Sequence, residues 1–304
     1  LHPRGPYPAL LLTGEQGTGK STLARILRTL IDSHQAALRR PPRDERDVFI
    51  AASSGWVTVF ENLSDVGGWL SDALCVLSTG GSYASRRFYV NDEEVILTAK
   101  RPVILTGIGD VVREADLRDR LLRVELHPLE EVRDEASIWE AFEAVWPRLL
   151  GALLDAASAA LRHLGEVQPR RLPRMADFAK WIMAAEMGGG LPWPVGRFAE
   201  VYSSHREALA AGILEDSVAS HILRLAEGGW RGTAAALLAD LNATAEASVT
   251  RARFWPQTPR ALAGYLRRIA PELRRLGVEI EFSKEGRNRT RIIALEKVAD
   301  GRRT

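Results

Sequence analysis

The chain has 304 residues, of which 46% are hydrophobic and 26% are charged, and its formal net charge is +2. This is the composition of a globular protein with two or three structural units and a sizeable core. No apolar run approaches the ~20 residues of a membrane-spanning helix, and the single cysteine, Cys75, excludes an internal disulfide and a cysteine-rich zinc site. We therefore predict a cytoplasmic protein with no membrane partner.

The first predicted elements are a buried strand over residues 7–12, a glycine-rich loop, and an amphipathic helix over residues 21–31. The loop consists of Gly14, Glu15, Gln16, Gly17, Thr18, Gly19, Lys20 and Ser21, and Thr22 follows it. Glycines let such a loop turn its N–H groups toward phosphates, while the lysine reaches the β- and γ-phosphates and the serine binds Mg²⁺. The strand–loop–helix order therefore predicts a site for ATP with Mg²⁺.

The chain starts at Leu1 without a methionine, only thirteen residues ahead of this loop. We therefore expect it to be a fragment of a longer protein.

Short strands alternate with helices up to residue 126. We predict strands over 56–60, 102–105 and 122–126, a helix over 66–77, and a connection over 39–46. Residues 87–90 and 95–98 read as a hairpin whose tip is Asn91-Asp92-Glu93-Glu94. The alternation of strands and helices predicts a mainly parallel α/β sheet.

An acidic residue, Glu61, ends the second predicted strand and is followed by Asn62. An acid at this point holds the Mg²⁺ shell or polarises the attacking water. Many hydrolysing proteins of this type have two acids in succession, so Glu61 can serve the metal while no catalytic base is evident. The alternative is a solvent-facing strand end.

Three arginines, Arg118, Arg120 and Arg123, lie just before and within the last predicted strand of the core. An arginine at this place can reach the γ-phosphate bound by a neighbouring subunit and stabilise charge in the transition state. For any one of the three, an exposed helix end is the alternative.

The character of the chain changes after Pro128. Two helices are predicted over 130–164, further helices over 174–187 and 195–214, and a domain boundary near residue 211. Beyond it we predict a helix to residue 225, a short strand at Trp230, helices over 233–241 and 258–276, and a ribbon of 278–282 with 290–295. Three helices followed by a ribbon are the order of a winged helix.

Residues 251–304 hold 14 Lys and Arg against 6 Asp and Glu, a net charge of 14 − 6 = +8, which leaves −6 for the rest of the chain. A basic end on an acidic chain favours a module that binds a polyanion. The alternative is a solvated, arginine-rich helical face. The basic residues on the last helix and around the ribbon are Arg260, Arg267, Arg268, Arg274, Arg275, Lys284, Arg287, Arg289 and Arg291.

The chain resembles the superfamily 3 helicases, and more narrowly the primase-helicase ATPases of phages, plasmids and integrated elements. The resemblance rests on the glycine loop and on the runs LSTGG at 77–81, RRFY at 86–89, KRPVILTG at 100–107 and DRL at 119–121. It continues in LPRMADFA at 172–179 and WPQTPRAL at 255–262. It therefore covers essentially the whole chain and is strongest over residues 14–126.

This resemblance implies an AAA+-type ATPase that forms a hexameric ring and moves along single-stranded or forked DNA, often with a primase domain ahead of it. It implies that Gly14 to Ser21 is the Walker A motif, that Glu61 is the Walker B acid, and that Arg120 is the arginine finger. Thr106 stands where the family usually has an asparagine. The hairpin would face the pore, but its tip is acidic, so we expect DNA contacts from its flanks. Those flanking residues are Arg86, Arg87 and Lys100.

We expect a P-loop, AAA+-like α/β core over residues 1–132, an all-helical lid over 133–211 and a winged-helix DNA-binding domain over 212–304. The expected activity is that of an ATP-dependent DNA helicase or translocase in the replication of a mobile element. Two alternatives remain open. One is an ATP-gated DNA-binding or loading factor with little hydrolysis. The other is a signalling ATPase whose winged helix binds proteins.

Overall fold

The computed structural model describes residues 4–86, 94–169, 172–211, 217–250, 255–286 and 289–297. The chain divides into two compact units, Leu1–Ser203 and Ser204–Thr304. We call these unit 1 and unit 2. Of the residues singled out above, Arg87, Arg287 and the hairpin tip from Asn91 to Glu93 lie outside the described residues.

Unit 1 begins with an α/β layer. In chain order its elements are β1 (Ala9–Gly14), α1 (Lys20–Asp32), α2 (Glu45–Ser53), β2 (Thr58–Leu63), α3 (Gly68–Thr79), β3 (Gly81–Arg86), β4 (Glu94–Ala99), β5 (Val103–Gly107), α4 (Ala115–Arg118) and β6 (Leu121–Leu126). Four strands form one sheet in the order β2-β5-β1-β6, and all of its pairings are parallel. The predicted α/β core with a parallel sheet is confirmed.

The central strands β1 and β5 are continuous apolar runs because both faces of the sheet are covered. On one face, Leu11 and Leu105 belong to a core cluster with Phe49 of α2 and Leu74 of α3. On the other face, Leu12 and residues of β2 and β5 pack around Ala24 of α1. The glycine-rich loop between β1 and α1 thus lies between two tightly packed elements.

Helix α2 is a correction to the predicted connection over 39–46, because the helix already begins at Glu45. Asp44 caps it, since its carboxylate accepts a hydrogen bond from the Asp47 N–H at 2.9 Å. The second strand of the predicted hairpin is β4, and it pairs with β3, which ends at Arg86. The predicted first strand, residues 87–90, lies outside the described residues.

Three longer helices follow the sheet: α5 (Glu135–His163), α6 (Ala176–Met187) and α7 (Arg197–Ala211). The two helices predicted over 130–164 are in fact one 29-residue helix that continues through Pro147. Helices α5 and α6 approach closely where α6 ends. A Cβ on Gly190 would lie 2.7 Å from the Cα of Ala156, so only glycine fits this contact without a shift of the backbone.

The region Glu135–Glu166, which contains α5, is the one described helix that is long and apolar enough to cross a membrane by length and composition, with 11% of its most apolar window buried. This helix does not stand out in the sequence as a long apolar run, because Arg148 and Asp155 interrupt it. Large apolar side chains lie exposed along this helix at Trp146, Leu153 and Leu154. A cytoplasmic location stays a prediction.

A buried carboxylate organises the segment between α6 and α7. Glu186 is 3% exposed. It accepts hydrogen bonds from Trp193 Nε1 at 2.8 Å, from the Phe198 N–H at 2.6 Å and from the Gly196 N–H at 3.1 Å. Two of these donors belong to the N-terminal end of α7, where a negative charge is favourable.

Glu186→Ala is expected to lower the free energy of unfolding of unit 1 by about 2 kcal/mol, because it removes a buried acceptor that three part-buried donors share. Urea denaturation followed by tryptophan fluorescence measures this. Glu200→Ala is the matched control. Its exposed carboxylate accepts only from Arg197, so its effect should stay within about 0.5 kcal/mol. Equal losses in the two variants would contradict the role assigned to Glu186.

Unit 2 combines helices with a small antiparallel sheet. In chain order it contains α8 (Ser217–Glu227), β7 (Trp230–Gly232), α9 (Ala234–Thr244), α10 (Ala247–Thr250), α11 (Pro259–Arg275), β8 (Val278–Glu285) and β9 (Thr290–Lys297). The strand order is β7-β9-β8. The predicted two-stranded ribbon therefore gains a third strand, because Trp230 pairs with Leu295. Helix α11 buries Leu262, Leu266 and Leu273 against the other helices and the sheet.

Candidate functional site

The glycine-rich loop occupies the carboxyl edge of the parallel sheet. Gly14, Gly17 and Gly19 have φ angles of 145°, 84° and 79°, a region that disfavours side chains. Gly14 is also confined, because a Cβ there would lie 2.4 Å from the Leu126 carbonyl oxygen. Helix α1 starts directly after Gly19 with no side-chain cap and no acid in its first turn. Its first N–H groups have no intrahelical acceptor and suit an anion.

The side chain of Lys20 folds over this loop. Its Nζ donates to the Gly14 carbonyl at 2.9 Å, to the Glu15 carbonyl at 2.5 Å and to Thr18 Oγ1 at 3.3 Å. Thr18 is 4% exposed, and its hydroxyl donates to the Glu15 carbonyl at 3.0 Å. The ammonium group therefore lies over the concave side of the loop, where it can exchange carbonyl oxygens for phosphate oxygens.

Glu61, Asn62 and Thr106 lie at the same edge of the sheet as the loop. Leu12 pairs with Thr106, and Phe60 pairs with Leu105, so the polar ends of β1, β5 and β2 are side by side. Strands lie about 4.8 Å apart, so the backbone of Glu61 lies about 10 Å from that of Leu12, two residues before Gly14. A hydrated metal ion would be held between the carboxylate and a phosphate bound in the loop.

A local irregularity positions the pair Glu61-Asn62. The register of β2 shifts between Phe60 and Leu63, and Asn62 has a φ of 55°. Thr106 is 1% exposed, and its Oγ1 accepts a hydrogen bond from the Asn62 N–H at 3.0 Å. Thr106 therefore supports the turn that carries Glu61. Its hydroxyl is buried and does not present itself to solvent water.

These side chains fit a Mg²⁺ site that is shared with a bound phosphate. No group of three or more His, Cys, Asp or Glu that could hold a metal ion occurs among the described residues. Ser21 at the start of α1 and Glu61 on β2 are the oxygen donors that would hold the ion. Mg²⁺ keeps most of its waters and binds one or two protein oxygens together with substrate phosphates. Ser21 and Glu61 would supply those two protein oxygens.

Arg120 lies at the opposite edge of the sheet. Its carbonyl accepts from the Ala9 N–H at the start of β1. The five residue steps from Ala9 to Gly14 correspond to about 17 Å, so Arg120 is far from the loop of its own subunit. Its side chain is 12% exposed and pairs with Asp116 at 2.5 Å. Its Nη1 also approaches Cys75 Sγ at 3.4 Å, and none of the described residues gives its buried Nε a hydrogen-bond partner.

Asp116 was not foreseen from the sequence, although it stands four residues before Arg120. Its second oxygen pairs with Arg174 at 2.5 Å. Burial raises the pKa of Asp116, but the hydrogen bond and charge of Arg120 bring it below its ordinary value. The carboxylate is therefore ionised at neutral pH and links Arg120 to the segment before α6.

The other two arginines of this region are also held in place. Arg118 pairs with Asp110, and its Nε donates to the Val112 carbonyl at 2.6 Å. Arg123 lies on β6 itself, where its Nε donates to Thr13 Oγ1 at 3.3 Å. Arg118 thus stabilises the connection before α4, while Arg123 contacts the neighbouring strand of its own sheet.

Cys75 offers a simple probe of this region. Burial raises the pKa of its thiol to about 12, against the lowering effect of the Arg120 charge. Only the thiolate reacts with alkylating agents, so iodoacetamide at pH 8.5 should modify folded Cys75 about 1,000-fold more slowly than the unfolded chain. Mass spectrometry follows this cleanly, because Cys75 is the single cysteine. Equal rates in urea and in buffer would contradict the burial.

The proposed DNA contacts of unit 1 are only partly described. Arg86 ends β3, and its backbone pairs with Glu94. Lys100 follows β4, but its Nζ donates to the Arg4 carbonyl at 3.0 Å, and its chain packs against Gly80 and Gly5. The structure therefore places the Lys100 amine against the N-terminal segment.

In unit 2, Arg260 and Arg267 are exposed on α11, Lys284 lies on β8, and Arg289 lies just before β9 with a φ of 49°. Arg268 lies on α11 too. The structure brings Arg260, Arg267 and Lys284 together around one groove, which also includes Arg291.

Comparison with models of known protein families assigns the chain to a family. A model of the family "Actinomycete integrative conjugative element replication protein" matches residues 1–192. The chain belongs to this family. The C-terminal domain model of the same family matches residues 218–303. The family assignment confirms the coarser part of the expectation from sequence, a replication protein of a mobile element. The chain matches none of the curated proteins with which it was compared.

Similar solved structures are distant. One is described as the active helicase Cch of SCCmec type IV, with 13% identity and a TM-score of 0.48. The match covers 96% of this chain and 62% of that protein. Another is the apo C-terminal region of NrS-1, with 12% identity, a TM-score of 0.38, and coverage of 97% of this chain and 67% of that one. A third is the JCV helicase, with 15% identity, a TM-score of 0.27, and coverage of 73% and 55%. The chain thus spans less than two thirds of the first of these proteins.

Proposed function

We propose that this replication protein is an ATP-dependent DNA helicase or translocase that hydrolyses ATP at the subunit interfaces of a ring. The observation that carries the proposal is the arrangement of the carboxyl edge of the sheet. There the glycine loop, Lys20 and Glu61 combine a phosphate cradle, a cation and a metal-binding acid. Phosphoryl transfer requires this combination of positioning and charge neutralisation.

ATP supplies the phosphoanhydride bond, and Mg²⁺ supplies charge neutralisation on its phosphates. The N–H groups of Gly17, Thr18 and Gly19 bind the phosphates, Lys20 neutralises their charge, and Ser21 and Glu61 hold the metal with its waters. Thr106 is a positioning residue in this proposal. Its hydroxyl holds the Asn62 N–H, which fixes the turn beside Glu61.

The distance between Arg120 and the loop supports a site shared by two subunits. An arginine about 17 Å away along the strand cannot contact a phosphate bound in its own loop. Arg120 is therefore proposed to complete the site of the next subunit, which requires its release from Asp116. The proposed ring has six subunits, as the resemblance to superfamily 3 helicases implies.

Unit 2 is proposed to be a winged-helix DNA-binding domain. Its order of helices and strands, with α11 before the β8–β9 ribbon, supports this. The exposed arginines on α11 suit phosphate contacts. In this proposal α5 to α7 form the helical lid, and a primase domain on the same or another chain would supply primers.

The decisive experiment is ATP turnover with and without single-stranded DNA, together with unwinding of a forked duplex. DNA-stimulated turnover with strand separation supports a helicase. Turnover that does not respond to DNA, in assemblies that never form rings with ATP and DNA, would overturn it.

A second candidate is an ATP-gated DNA-binding or loading factor with little hydrolysis. The specific observation in its favour is the chemistry next to Glu61. Asn62 stands where a second acid would polarise water, and the Thr106 hydroxyl is buried. Tight ATP binding with negligible turnover on every DNA substrate would select this candidate.

A further inference from the structure

A basic groove lies within unit 2 between α11 and the β8–β9 ribbon. Its volume is about 860 Å³. Arg260 and Arg267 line it from α11, Lys284 from β8 and Arg291 from β9, and its lining includes no acid from the part of the chain that the structure describes. Lys284 and Arg291 are direct cross-strand partners. Like charges in this arrangement repel each other, so the groove favours a ligand with several negative charges.

The four groove cations differ from other basic residues of unit 2, because no described residue provides them with an acidic partner. Among the described residues, no carboxylate lies within 4.0 Å of the charged nitrogens of Arg260, Arg267, Lys284 or Arg291. Outside the groove, Arg231 pairs with Glu285, Arg274 with Glu279 at 3.0 Å, and Lys297 with Glu227 at 3.5 Å. The positive charge inside the groove is thus available to a ligand.

Side-chain alternation gives the ribbon two different faces. Ile280, Phe282 and Lys284 point to the side of α11, whereas Glu281 and Glu285 point to the other side. A polyanion is attracted to the first face and repelled by the second.

An aromatic ring lies among the groove cations. Phe282 lines the groove and is 38% exposed, although the neighbouring inward residue Ile280 is 3% exposed. The guanidinium carbon of Arg267 lies 5.1 Å from the centre of the Phe282 ring. This contact holds the Arg267 guanidinium and the Phe282 ring in place. The ring is a planar, apolar surface between the groove cations.

We propose that this groove binds single-stranded DNA, with the four cations on successive phosphates and an unpaired base stacked on the Arg267–Phe282 pair. In a duplex the faces of each base are covered by its neighbours, so an exposed ring gains a stacking partner only from an unpaired base. The inference deepens the DNA-binding part of the proposed function and rests on it.

The test is fluorescence anisotropy of the full chain with labelled oligo-dT of ~12 nucleotides and with a duplex of the same length, without ATP and in the Lys20→Ala background. Phe282→Leu should weaken oligo-dT binding about tenfold because it removes the stacking surface. Duplex binding should change less than about twofold. Phe282→Trp should keep the affinity for oligo-dT.

The cations are tested through the salt dependence of the same binding. Arg291→Gln should lower the slope of log K against log salt for oligo-dT by about 0.7, the value for one phosphate contact. Arg231→Gln is the matched control on the other face of the ribbon, and it should leave the slope unchanged.

Equal losses on duplex and single strand, or loss of binding in Phe282→Trp as well, would overturn the proposal. Unchanged oligo-dT affinity in Phe282→Leu would overturn it too, even if the wild-type chain is an active helicase. Conversely, selective loss in Phe282→Leu combined with a wild-type chain that never hydrolyses ATP on DNA would leave the groove assignment intact and refute the helicase.

Discussion

Lys20→Ala should lower the kcat of ATP hydrolysis by a factor of about 100 or more, with and without single-stranded DNA. The structure holds Lys20 Nζ directly over the glycine loop. Its removal leaves the charge that develops on the transferred phosphoryl group without a partner, and the loss of one such donor typically costs 100- to 1,000-fold. A coupled assay of ADP release measures the effect.

Two comparisons make this result specific. Lys180→Ala changes the same residue type on α6 and should keep wild-type turnover. Oligo-dT binding without ATP should also be the same in Lys20→Ala as in the wild-type chain, because the variant alters only the loop. Wild-type turnover in Lys20→Ala would remove the glycine loop from the reaction.

The second large expected effect is that ATP hydrolysis returns when two inactive variants, Arg120→Ala and Lys20→Ala, are mixed. Arg120→Ala alone should bind ATP normally and lose about 1,000-fold in kcat, as expected for an arginine finger. Lys20→Ala alone is inactive for a different reason. In a mixed assembly, the intact loop of an Arg120→Ala subunit can meet the intact Arg120 of a Lys20→Ala subunit, so activity should return on mixing.

The size of this recovery is set by the geometry of a head-to-tail assembly. With random mixing of equal amounts, about a quarter of the junctions combine an intact loop with an intact finger. The expected turnover is therefore about a quarter of the wild-type value. No recovery on mixing would show that Arg120 does not act on a neighbour. Arg118→Ala is the control, since its guanidinium is tied to Asp110 and the Val112 carbonyl. This chain keeps both its loop and Arg120, so if Arg120 is the finger it should be active alone, and its equal mixture with Lys20→Ala should show about half of the wild-type turnover.

The elements that the sequence predicts well are those with strong local signals. The glycine loop, the apolar strands β1 and β5, and the amphipathic helix α11 each follow from a short pattern of residues. Parallel central strands are buried on both faces, so their apolar runs are nearly continuous. The strand pattern also predicted Glu61 at the end of β2, whereas Thr106 was identified only through the resemblance to superfamily 3 helicases.

The errors arise where tertiary structure overrides local preference. The sequence predicts two helices over residues 130–164, but helix α5 is a single helix that continues through Pro147. The short strand predicted at Trp230 is β7, but its pairing with β9, which extends the two-stranded ribbon to three strands, was not predicted.

Contacts between side chains that are far apart in the sequence could not be predicted either. The bonds of Thr106 with Asn62 and of Asp116 with Arg174 join residues that are 44 and 58 positions apart. No spacing rule connects such residues, because only the folded sheet and the helices packed on it bring them together. The groove around Phe282 arises in the same way from α11, β8 and β9.

The placement of Arg120 and the glycine loop at opposite edges of one sheet has a consequence for how activity scales with protein concentration. Under the proposed arrangement, an isolated subunit contains two halves of a site and no complete site. In an open row of subunits, the loop at one end and Arg120 at the other end have no partner subunit. In a closed ring, every loop meets the Arg120 of a neighbour. Specific activity should then rise steeply with concentration and level off at ring closure. Dilution alone acts as an off-switch, without any change in the fold of the subunit.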